Sequence, residues 1–508
     1  MASFLLGLPS TFTRDITLVQ PQEKQWKLGF YGQDTWQVTP KLTLTLGLRW
    51  DYMSPIFTPD GQSVGNLDLN TGNVLLTNLA GKYAGVTTPK TEFSPRLGVA
   101  YRLPHDTVIR GGYGRSYFLN PYGAGFGTEG CCWPIKQSES DAPANPFAPL
   151  PYTIDQGPGL PASLPPYPKN GMIPLPDGFF QIFPGTGTYP HSYTDTYNVT
   201  LEHAFPHQLT ASIAYVGNRG RHLWDNVDVN APVPGPNVGG SFNPNRPYYA
   251  KFGWTTGQLQ RSNQLAGYPE LKSNYNSLQV RVEKRFHEGL YVTSNFTWDK
   301  SLDEGTFGPT NIFNFASNYG NSDFTRPWSW VSAATWSLPF GRGKAFGNDL
   351  SPVADAIAGG WTLSGIFNFE AGMYFTPFLA DASSLNSTIS LRPDRIGSGK
   401  VSNPNRNEWF NPADFTKVAQ PFTYGNSGRN ILLGPGFGSV DLSLAKSFKI
   451  TERAKLEFRW DAFNAFNREN LGGPNATITP GNPNSPAGKI FGIVDFRRRM
   501  QIGAHITF

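Results

Sequence analysis

The sequence predicts an all-β fold, an antiparallel transmembrane β-barrel of about thirteen strands. The barrel is expected to be partial, and the pattern does not decide whether its sheet closes. Segments of ten or more residues alternate between apolar and polar side chains, which is typical of strands. Such strands exceed the roughly five or six residues of soluble sheets and match the roughly 9 to 11 residues of a tilted membrane strand. Short and long connections also alternate, which indicates short periplasmic turns and long extracellular loops.

The composition narrows the alternatives. The chain has 508 residues, a formal net charge of +5 and 14% aromatic residues. No run of about 18 apolar residues occurs, so a closed barrel is the spanning structure that remains. Positive charges are spread along the chain without forming a basic domain, so no nucleic-acid partner is expected. The start, MASFLLGLPS, lacks the basic residues of a signal peptide.

The first two strands form the clearest predicted hairpin. Residues 1–25 look irregular and are expected to be the remnant of an extracellular loop, while residues 26–508 are expected to be barrel. Segment 26–38 leads through Thr39 and Pro40 into segment 42–52. One face of that second strand carries Leu42, Leu44, Leu46, Leu48, Trp50 and Tyr52, and the other carries Thr43, Thr45, Gly47, Arg49 and Asp51. The stretch DLNTGNVLL in the following loop predicts a small hairpin.

The same pattern recurs along the chain. Strands are predicted at 93–103 and 107–118, 194–205 and 209–220, 276–286 and 290–301, and 327–340 and 361–375. The stretches between these pairs, such as 119–193, are rich in Pro, Gly and polar residues and are predicted to be long loops. Three further strands end the chain, at 438–450, 454–467 and 498–508.

The alternation predicts which side chains face lipid. Because an Arg on the lipid face costs about 2 to 4 kcal/mol at the bilayer midplane, the charged residues are expected to face the lumen. The residues expected to face lipid are Leu42, Leu44, Leu46, Leu48, Val280, Val282, Leu442, Leu444, Ile502 and Ile506. The residues expected to face the lumen are Thr45, Arg49, Gln279, Arg281, Glu283, Glu457 and Arg459. Aromatics near strand ends (Trp36, Trp50, Tyr52, Trp298, Trp460) fit interfacial girdles, and their alternative role is in the core of a large soluble β protein.

Several segments together resemble a known family. They are FYGQDTWQVTPKLTLTLGLRWDY, TEFSPRLGVAYRL with TVIRGGYGRSY, LPFGRGK followed by GGWTLSGIF, and AKLEFRWDAFNAFN with the terminal HITF. In their order and spacing they resemble the C-terminal barrel of a TonB-dependent outer-membrane transporter, of the Oar-like proteins that carry a carboxypeptidase-regulatory-like domain.

The resemblance implies a function and also marks a departure from the family. It implies a barrel of about 22 strands that is closed by a plug and driven by an inner-membrane energy-coupling complex. The sequence shows about thirteen strands and neither plug nor N-terminal domain, so a C-terminal fragment in the outer membrane of a Gram-negative bacterium is expected. Its coupling to the energy complex would then run through the missing N-terminal part, and its substrate is unknown.

Enzymatic chemistry is not predicted, and no cofactor or metal is expected. Gly125, Gly127 and Gly130 match a dinucleotide fingerprint by letter, but CCWPIKQ after them cannot open the required helix. The seven histidines lack metal-ligand spacing. Asp303 and Glu304 are interpreted as a solvated acidic loop tip. The neighbours Cys131 and Cys132 leave open a strained vicinal disulfide or two thiols.

Two features of the last strand suggest partners. By the resemblance, the terminal Phe508 is expected to be a recognition signal for the barrel-assembly machinery, with a rim aromatic as the structural alternative. Arg497, Arg498 and Arg499 lie where the last strand begins at the outer surface. They are expected either to contact the phosphates of outer-membrane lipid and lipopolysaccharide or to form a solvated rim.

The strand count predicts two free edges. Both the first strand and the last would run downward from the outer surface, so an odd number of strands cannot close in antiparallel fashion. Segments 26–38 and 496–508 are therefore expected to be unpaired edges or a forced parallel seam. Two other functions stay open: an outer-membrane adhesin or scaffold without transport, and a soluble secreted array of β-sandwiches.

Overall fold

The structure is a computed structural model and describes most of the chain. The described residues are all those outside 1–5, 18–21, 23, 60–64, 119–135, 144, 146–147, 160–167, 175–185, 189, 224–229, 255–270, 288, 306–310, 381–390, 452 and 496. The side chains of 17, 136–139, 286 and 287 also lie outside the described part. The glycines of GFGTEG and the two cysteines therefore fall outside the residues that the structure describes.

A single large antiparallel sheet contains the thirteen predicted strands. They are β1 (Lys27–Thr39), β2 (Leu42–Met53), β3 (Glu92–Leu103), β4 (Thr107–Phe118), β5 (Ser192–Phe205), β6 (Leu209–Leu223), β7 (Leu271–His287), β8 (Leu290–Asp303), β9 (Trp328–Ser337), β10 (Trp361–Glu370), β11 (Phe437–Lys449), β12 (Lys455–Phe463) and β13 (Arg499–Thr507). Each strand pairs with its neighbours in chain order, and the two-residue strand Gly320–Asn321 pairs with β8 off this path. The fold class predicted from alternation is confirmed.

The order of the sheet ends at β1 on one side and at β13 on the other. Between the described residues of these two strands there is no pairing, so both present unpaired backbone groups along one edge. Of the two arrangements expected, unpaired edges or a forced parallel seam, the described residues show the unpaired edges.

The register gives the sheet two chemically different faces. Cross-strand partners share a face, and a row such as Leu46, Leu97, Tyr113, Tyr197 joins apolar side chains across neighbouring strands. All ten residues expected to face lipid lie on this side, which we call the apolar face. The seven residues expected in the lumen lie on the opposite side, which we call the charged face.

Three of the five aromatic side chains predicted for the girdles, Trp36, Trp298 and Trp460, are exposed on the apolar face, while Trp50 and Tyr52 on that face are half-buried. Trp36 is 56% exposed and Trp298 is 60% exposed. A large apolar ring with that exposure is not part of a protein core, which is the alternative that the sequence left open.

Lys446 departs from the apolar pattern, since it lies on this face opposite Trp361 and Phe458. Its ammonium donates a hydrogen bond to the Gly359 carbonyl oxygen and lies 4.9 Å from the Phe448 ring centroid.

Short and long connections alternate along the sheet as predicted. Two or three residues join β1 to β2, β3 to β4, β5 to β6 and β7 to β8, whereas residues 54–91 join β2 to β3 and residues 371–436 join β10 to β11. The connection from β9 to β10 is longer than the other turns and contains the helix Pro352–Ala358. Ser351 caps that helix by accepting a hydrogen bond from the Ala354 N–H.

The long loops and the segment before β1 contain short strands and helical turns. The strands are Phe12–Thr17, Gly65–Asp68, Asn73–Leu76, Val86–Thr87, Lys136–Asp141, Met172–Pro174, Gly187–Thr188, Tyr374–Phe375, Phe378–Leu379, Asp394–Arg395, Phe415–Thr416, Leu432–Leu433 and Thr477–Ile478. The helix Tyr249–Phe252 and the 3₁₀ turns Asn243–Asn245, Phe315–Asn318 and Pro412–Asp414 complete the described elements. No helix in this part of the chain is both long and apolar enough to cross a membrane.

Among the boundaries that differ from the sequence prediction, three are explained by strand pairing in the structure. Residues 12–17, expected to be irregular, form a strand because residues 136–141 pair with them, a partner that no local pattern reveals. The strand predicted at 361–375 ends at Glu370, since Tyr374 and Phe375 pair instead with Leu433 and Leu432. Strand β7 begins five residues before the predicted 276, because its pairing with β6 continues past an irregularity to Leu271.

Candidate functional site

A polar cavity lies on the charged face at the end of the sheet where the long loops begin. Its volume is about 540 Å³. The sheet contributes Ser273 and Tyr275 of β7, Asp299, Ser301 and Asp303 of β8, Ser329 of β9, and Glu370 of β10. These side chains share one face because each alternates with a residue of the apolar face, as the pleat requires. The loop 304–327 supplies the rest of the wall, Ser322, Phe324, Thr325 and Arg326.

The three carboxylates of the cavity are held in different ways. Glu370 forms an ion pair with Arg326 at 3.0 Å, and Arg326 also donates to the Ala371 carbonyl oxygen at 2.9 Å. Asp303 forms an ion pair with Arg429. Asp299 accepts a hydrogen bond of 2.7 Å from the Thr325 hydroxyl, which leaves acceptor capacity on its carboxylate. The cavity therefore combines a carboxylate free of ion pairing with a wall of hydroxyl groups.

Arg429, in the loop after β10, connects that loop and the loop after β8 to the end of β8. Its side chain is 8% exposed, and it donates to the Asp303 and Asn318 carbonyl oxygens at 2.9 and 3.0 Å. It also pairs with Asp323 at 3.1 Å. The next residue, Asn430, donates to Asp323 at 2.6 Å and to the Asn321 carbonyl oxygen at 2.7 Å. All three guanidinium nitrogens of Arg429 donate hydrogen bonds, and such a buried charge is stable only while its partners are in place.

The environment of Asp303 and Glu304 differs from the one expected from the sequence. They were expected to form a solvated acidic tip, but the Glu304 side chain is 4% exposed and pairs with Lys272 at 3.3 Å. Glu304 also accepts from the Lys272 backbone N–H at 3.0 Å. The expectation is wrong because the loop folds back on its own strand ends, where both carboxylates meet cations.

Two clusters of apolar side chains join the long loops to one another. The first contains Leu67, Val74, Leu76 and Trp254, with Ile173 packed against it, and so connects the loops after β2, β4 and β6. The second contains Leu391, Phe410, Phe415, Leu432 and Ile478 and connects the loops after β10 and β12. The described parts of the loops are thus packed structures rather than separate extended segments.

The residues expected in the lumen form local ion pairs along the charged face. Arg49 pairs with Asp51 and Arg281 pairs with Glu283, each at 2.7 Å. Arg459 likewise pairs with Asp461 at 2.7 Å, and Glu457 accepts from Lys455 and Ser447 at 3.1 Å. None of these residues lines the cavity. Alternation of apolar and polar residues does not by itself indicate where the cavity lies. The signal that could have found it is the recurrence of Ser, Asp and Glu at the long-loop ends of β7 to β10.

Phe508 and the three arginines at the start of the last strand do not form a single site. Phe508 is 97% exposed and follows the last strand. Arg499 lies opposite Phe463 on the charged face. The Arg498 backbone N–H donates to Asn467 at 3.0 Å, and Arg497 is exposed beside it. Their roles in assembly and in phosphate binding stay predictions.

The described residues hold no group of three or more His, Cys, Asp or Glu side chains that could bind a metal ion.

Comparisons with known proteins place this architecture in a family. A family model described as "Outer membrane beta barrel domain" matches residues 1–501. A search of curated proteins finds no significant match.

Among solved structures, the ferripyoverdine receptor of the outer membrane of Pseudomonas aeruginosa is 10% identical with a TM-score of 0.43, and the match covers 96% of this chain and 39% of that one. The siderophore receptor PiuA from Acinetobacter baumannii is 9% identical with a TM-score of 0.43, covering 96% and 43%. The ferric-catecholate import receptor Fiu from E. coli K12 is 11% identical with a TM-score of 0.42, covering 96% and 45%.

The chain thus spans less than half of the length of these solved structures. The family model, in contrast, covers nearly all of it, and the observed fold is the one that the model describes. The chain belongs to the family of outer membrane β-barrel domains and is a protein of the Gram-negative outer membrane.

Proposed function

We propose that the chain is the C-terminal barrel portion of a TonB-dependent receptor of the Oar-like kind, which takes up a substrate by energy coupling. The observation that carries the proposal is the polar cavity at the long-loop end of the charged face. A receptor needs a polar site at its extracellular mouth, and this cavity lies beneath the loop 304–327, which Arg326 and Arg429 fasten to the strands.

The two edges of the sheet support the proposal that this is part of a larger barrel. Unpaired backbone N–H and C=O groups cost several kcal/mol each in a bilayer, so spanning sheets must close. Strands β1 and β13 have no partner on one side among the described residues. Further strands would satisfy both edges and restore an even count. The energy-coupling complex would then act through a part outside this sequence, and the barrel-assembly machinery would insert the whole.

The lumen assignment of the charged face belongs to the same proposal. Arg49, Arg281, Glu283, Glu457 and Arg459 would line the interior, where water and ion-pair partners compensate their charges. A lipid-facing position would take the same ion pairs out of water, at a desolvation cost of several kcal/mol per ion.

A second candidate function is an adhesin or scaffold without transport. The observation in its favour is the pair of apolar clusters that hold the long loops in packed structures, as a binding surface requires. Its cavity would be incidental, and filling the cavity would change nothing.

The test compares two Trp substitutions in the full-length protein in its own host. Ser329→Trp fills the cavity, whereas Asn295→Trp places the same ring on the charged face of the neighbouring strand, away from the cavity lining. Depletion of medium components is followed by mass spectrometry in cells with the wild-type gene, a deletion and each variant, with and without a protonophore.

Transport predicts a compound whose depletion requires the gene and the proton gradient, is lost in Ser329→Trp and is kept in Asn295→Trp. If no compound depends on the gene while surface attachment does, transport is refuted and the scaffold function is supported. Equal loss in both variants at normal membrane levels would refute the role of the cavity.

A further inference from the structure

Four basic residues share the apolar face of β4 to β8 at its long-loop end. The register places Arg115 opposite Asp195, and Asp195 opposite Arg219. One step further toward the loops, Arg221 lies opposite Tyr193, and one step back, Lys300 lies opposite Asn276. We call Arg115, Arg219, Arg221 and Lys300 the cationic rim.

The cationic rim directly adjoins the aromatic and aliphatic part of the same face. The row below it contains Tyr215, Leu278, Trp298 and Trp328, which are register partners in succession. Tyr113 and Tyr197 belong to the same row as Lys300, from which Asn276 and Gly217 separate them. Tyr and Trp mark the level of lipid headgroups, so the basic side chains lie just outside the hydrocarbon at the outer surface.

The charge of the rim is only partly compensated. Asp195 is the acidic residue of these rows, and Arg115 engages it through two hydrogen bonds of 2.8 and 3.0 Å while stacking 4.1 Å from the Tyr193 ring centroid. Lys272 on the same face is paired with Glu304. Arg219, Arg221 and Lys300 therefore leave a net excess of about three positive charges, counted from the residues of these rows.

The rim is also arranged before any ligand arrives. Arg221 donates to the Gly220 and Ser273 carbonyl oxygens at 2.6 and 3.1 Å, which fixes its guanidinium against the sheet. Neighbouring strands lie about 4.8 Å apart, so Arg115 and Arg219 are separated by about 10 Å across β5. Arg219 and Arg221 are about 7 Å apart along one strand. This spacing suits more than one phosphate of a single headgroup.

We propose that the cationic rim binds the phosphorylated headgroup of an outer-leaflet glycolipid. Continuity with the apolar face selects a lipid rather than a soluble anion, because acyl chains would lie on the aliphatic rows while phosphates meet the guanidinium groups above. Guanidinium groups bind phosphate through paired hydrogen bonds. The site is distinct from Arg497 to Arg499, and it depends on the outer-membrane location but not on transport.

The test uses the full-length protein purified in mild detergent and native mass spectrometry of the lipid bound to it. Arg219→Gln, Arg221→Gln and Lys300→Gln are combined in one variant. The matched control combines Arg96→Gln, Arg102→Gln and Arg110→Gln, which removes the same charge from the charged face. Heat-modifiable electrophoretic mobility verifies that each variant is folded, and Lys300→Gln alone serves if the triple variant is not.

With about 1 kcal/mol expected per basic residue at a membrane surface, the rim variant should bind the phosphorylated glycolipid roughly 100-fold more weakly, and the control should bind it as the wild type does. The dephosphorylated glycolipid should bind wild type and rim variant alike. Equal retention of the phosphorylated lipid by both triple variants would overturn the proposal. So would its displacement by inorganic phosphate at millimolar concentration, which would indicate a simple anion site.

Discussion

Val280 and Gln279 offer the sharpest test of which face of the sheet meets lipid. They are neighbours in β7 and lie on opposite faces. Val280 lies between Ile213 and Phe296 on the apolar face, and Gln279 lies between Ala214 and Thr297 on the charged face. Substituting each in turn by Arg applies the same chemical change to two adjacent backbone positions.

The position of Val280 along the strand sets the expected magnitude. It lies seven residues from the end of β7 at His287. At about 3.4 Å per residue and a tilt of about 45°, this is roughly 17 Å from the short-turn end, near the middle of an apolar band about 25 Å tall. Arg at that depth costs about 2 to 4 kcal/mol, or roughly a 30- to 900-fold shift toward the unfolded state. Gln279→Arg should cost less than about 0.5 kcal/mol, as a polar surface change does.

The assay is equilibrium unfolding in urea of the full-length protein refolded into phospholipid vesicles, followed by tryptophan fluorescence. Outer-membrane levels in cells provide a second readout. The Val280→Arg protein should unfold at lower urea concentration while the Gln279→Arg protein unfolds as the wild type does. Equal destabilisation by both, or a larger effect of Gln279→Arg, would refute the assignment of lipid to the apolar face.

Three further outcomes are expected. Arg429→Ala should lower the free energy that holds the loops on the strands by about 3 to 5 kcal/mol, because it leaves Asp303 and Asp323 without their cation. Hydrogen exchange should then rise in residues 311–323 but not in the sheet. Substitution of the exposed Lys400 by Ala serves as the control. Deletion of Phe508 should lower the outer-membrane yield in cells without changing the strand pattern, and normal assembly would exclude it as a recognition signal. Burial raises the pKa of Asp68, but hydrogen bonds from the Asn70 N–H and the Thr71 and Thr186 hydroxyls outweigh it and hold the pKa below the ordinary 3.8. Its stabilising contribution should therefore be complete above that value and be lost as the pH falls below it, with increased protease cleavage near residue 68 in the wild type; Asp68→Asn should show that cleavage already at neutral pH.

The sequence predicted the strands well because a strand of this sheet meets different surroundings on its two faces. Leu442 and Leu444 alternate with Asp441 and Ser443 whatever the rest of the chain does, so a period of two is visible locally. The turn Pro206-His207-Gln208 is equally local, and His207 and Gln208 have the positive φ angles that a tight turn requires. Strand number, pairing order and the unpaired edges all followed from these local signals.

The cavity and its supports could not be read in the same way. Asp303 and Arg429 are 126 residues apart, and the sequence around neither residue indicates that the two are in contact. Glu304 looks like a solvated carboxylate in sequence, yet it is buried because its loop folds back over the strand ends. The pairing of residues 12–17 with 136–141 is likewise visible only in three dimensions.

The sequence by itself therefore determined the thirteen strands, their two faces and the alternation of short and long connections. These depend on interactions between residues a few positions apart and on the contrast between the two surfaces that each strand presents. The tertiary structure alone decided the cavity, the Arg429 contacts, the packing of the loops and the grouping of Arg115, Arg219, Arg221 and Lys300. Each of these features brings together side chains from several strands or loops, and their proximity is fixed by the register of the whole sheet rather than by any segment of it.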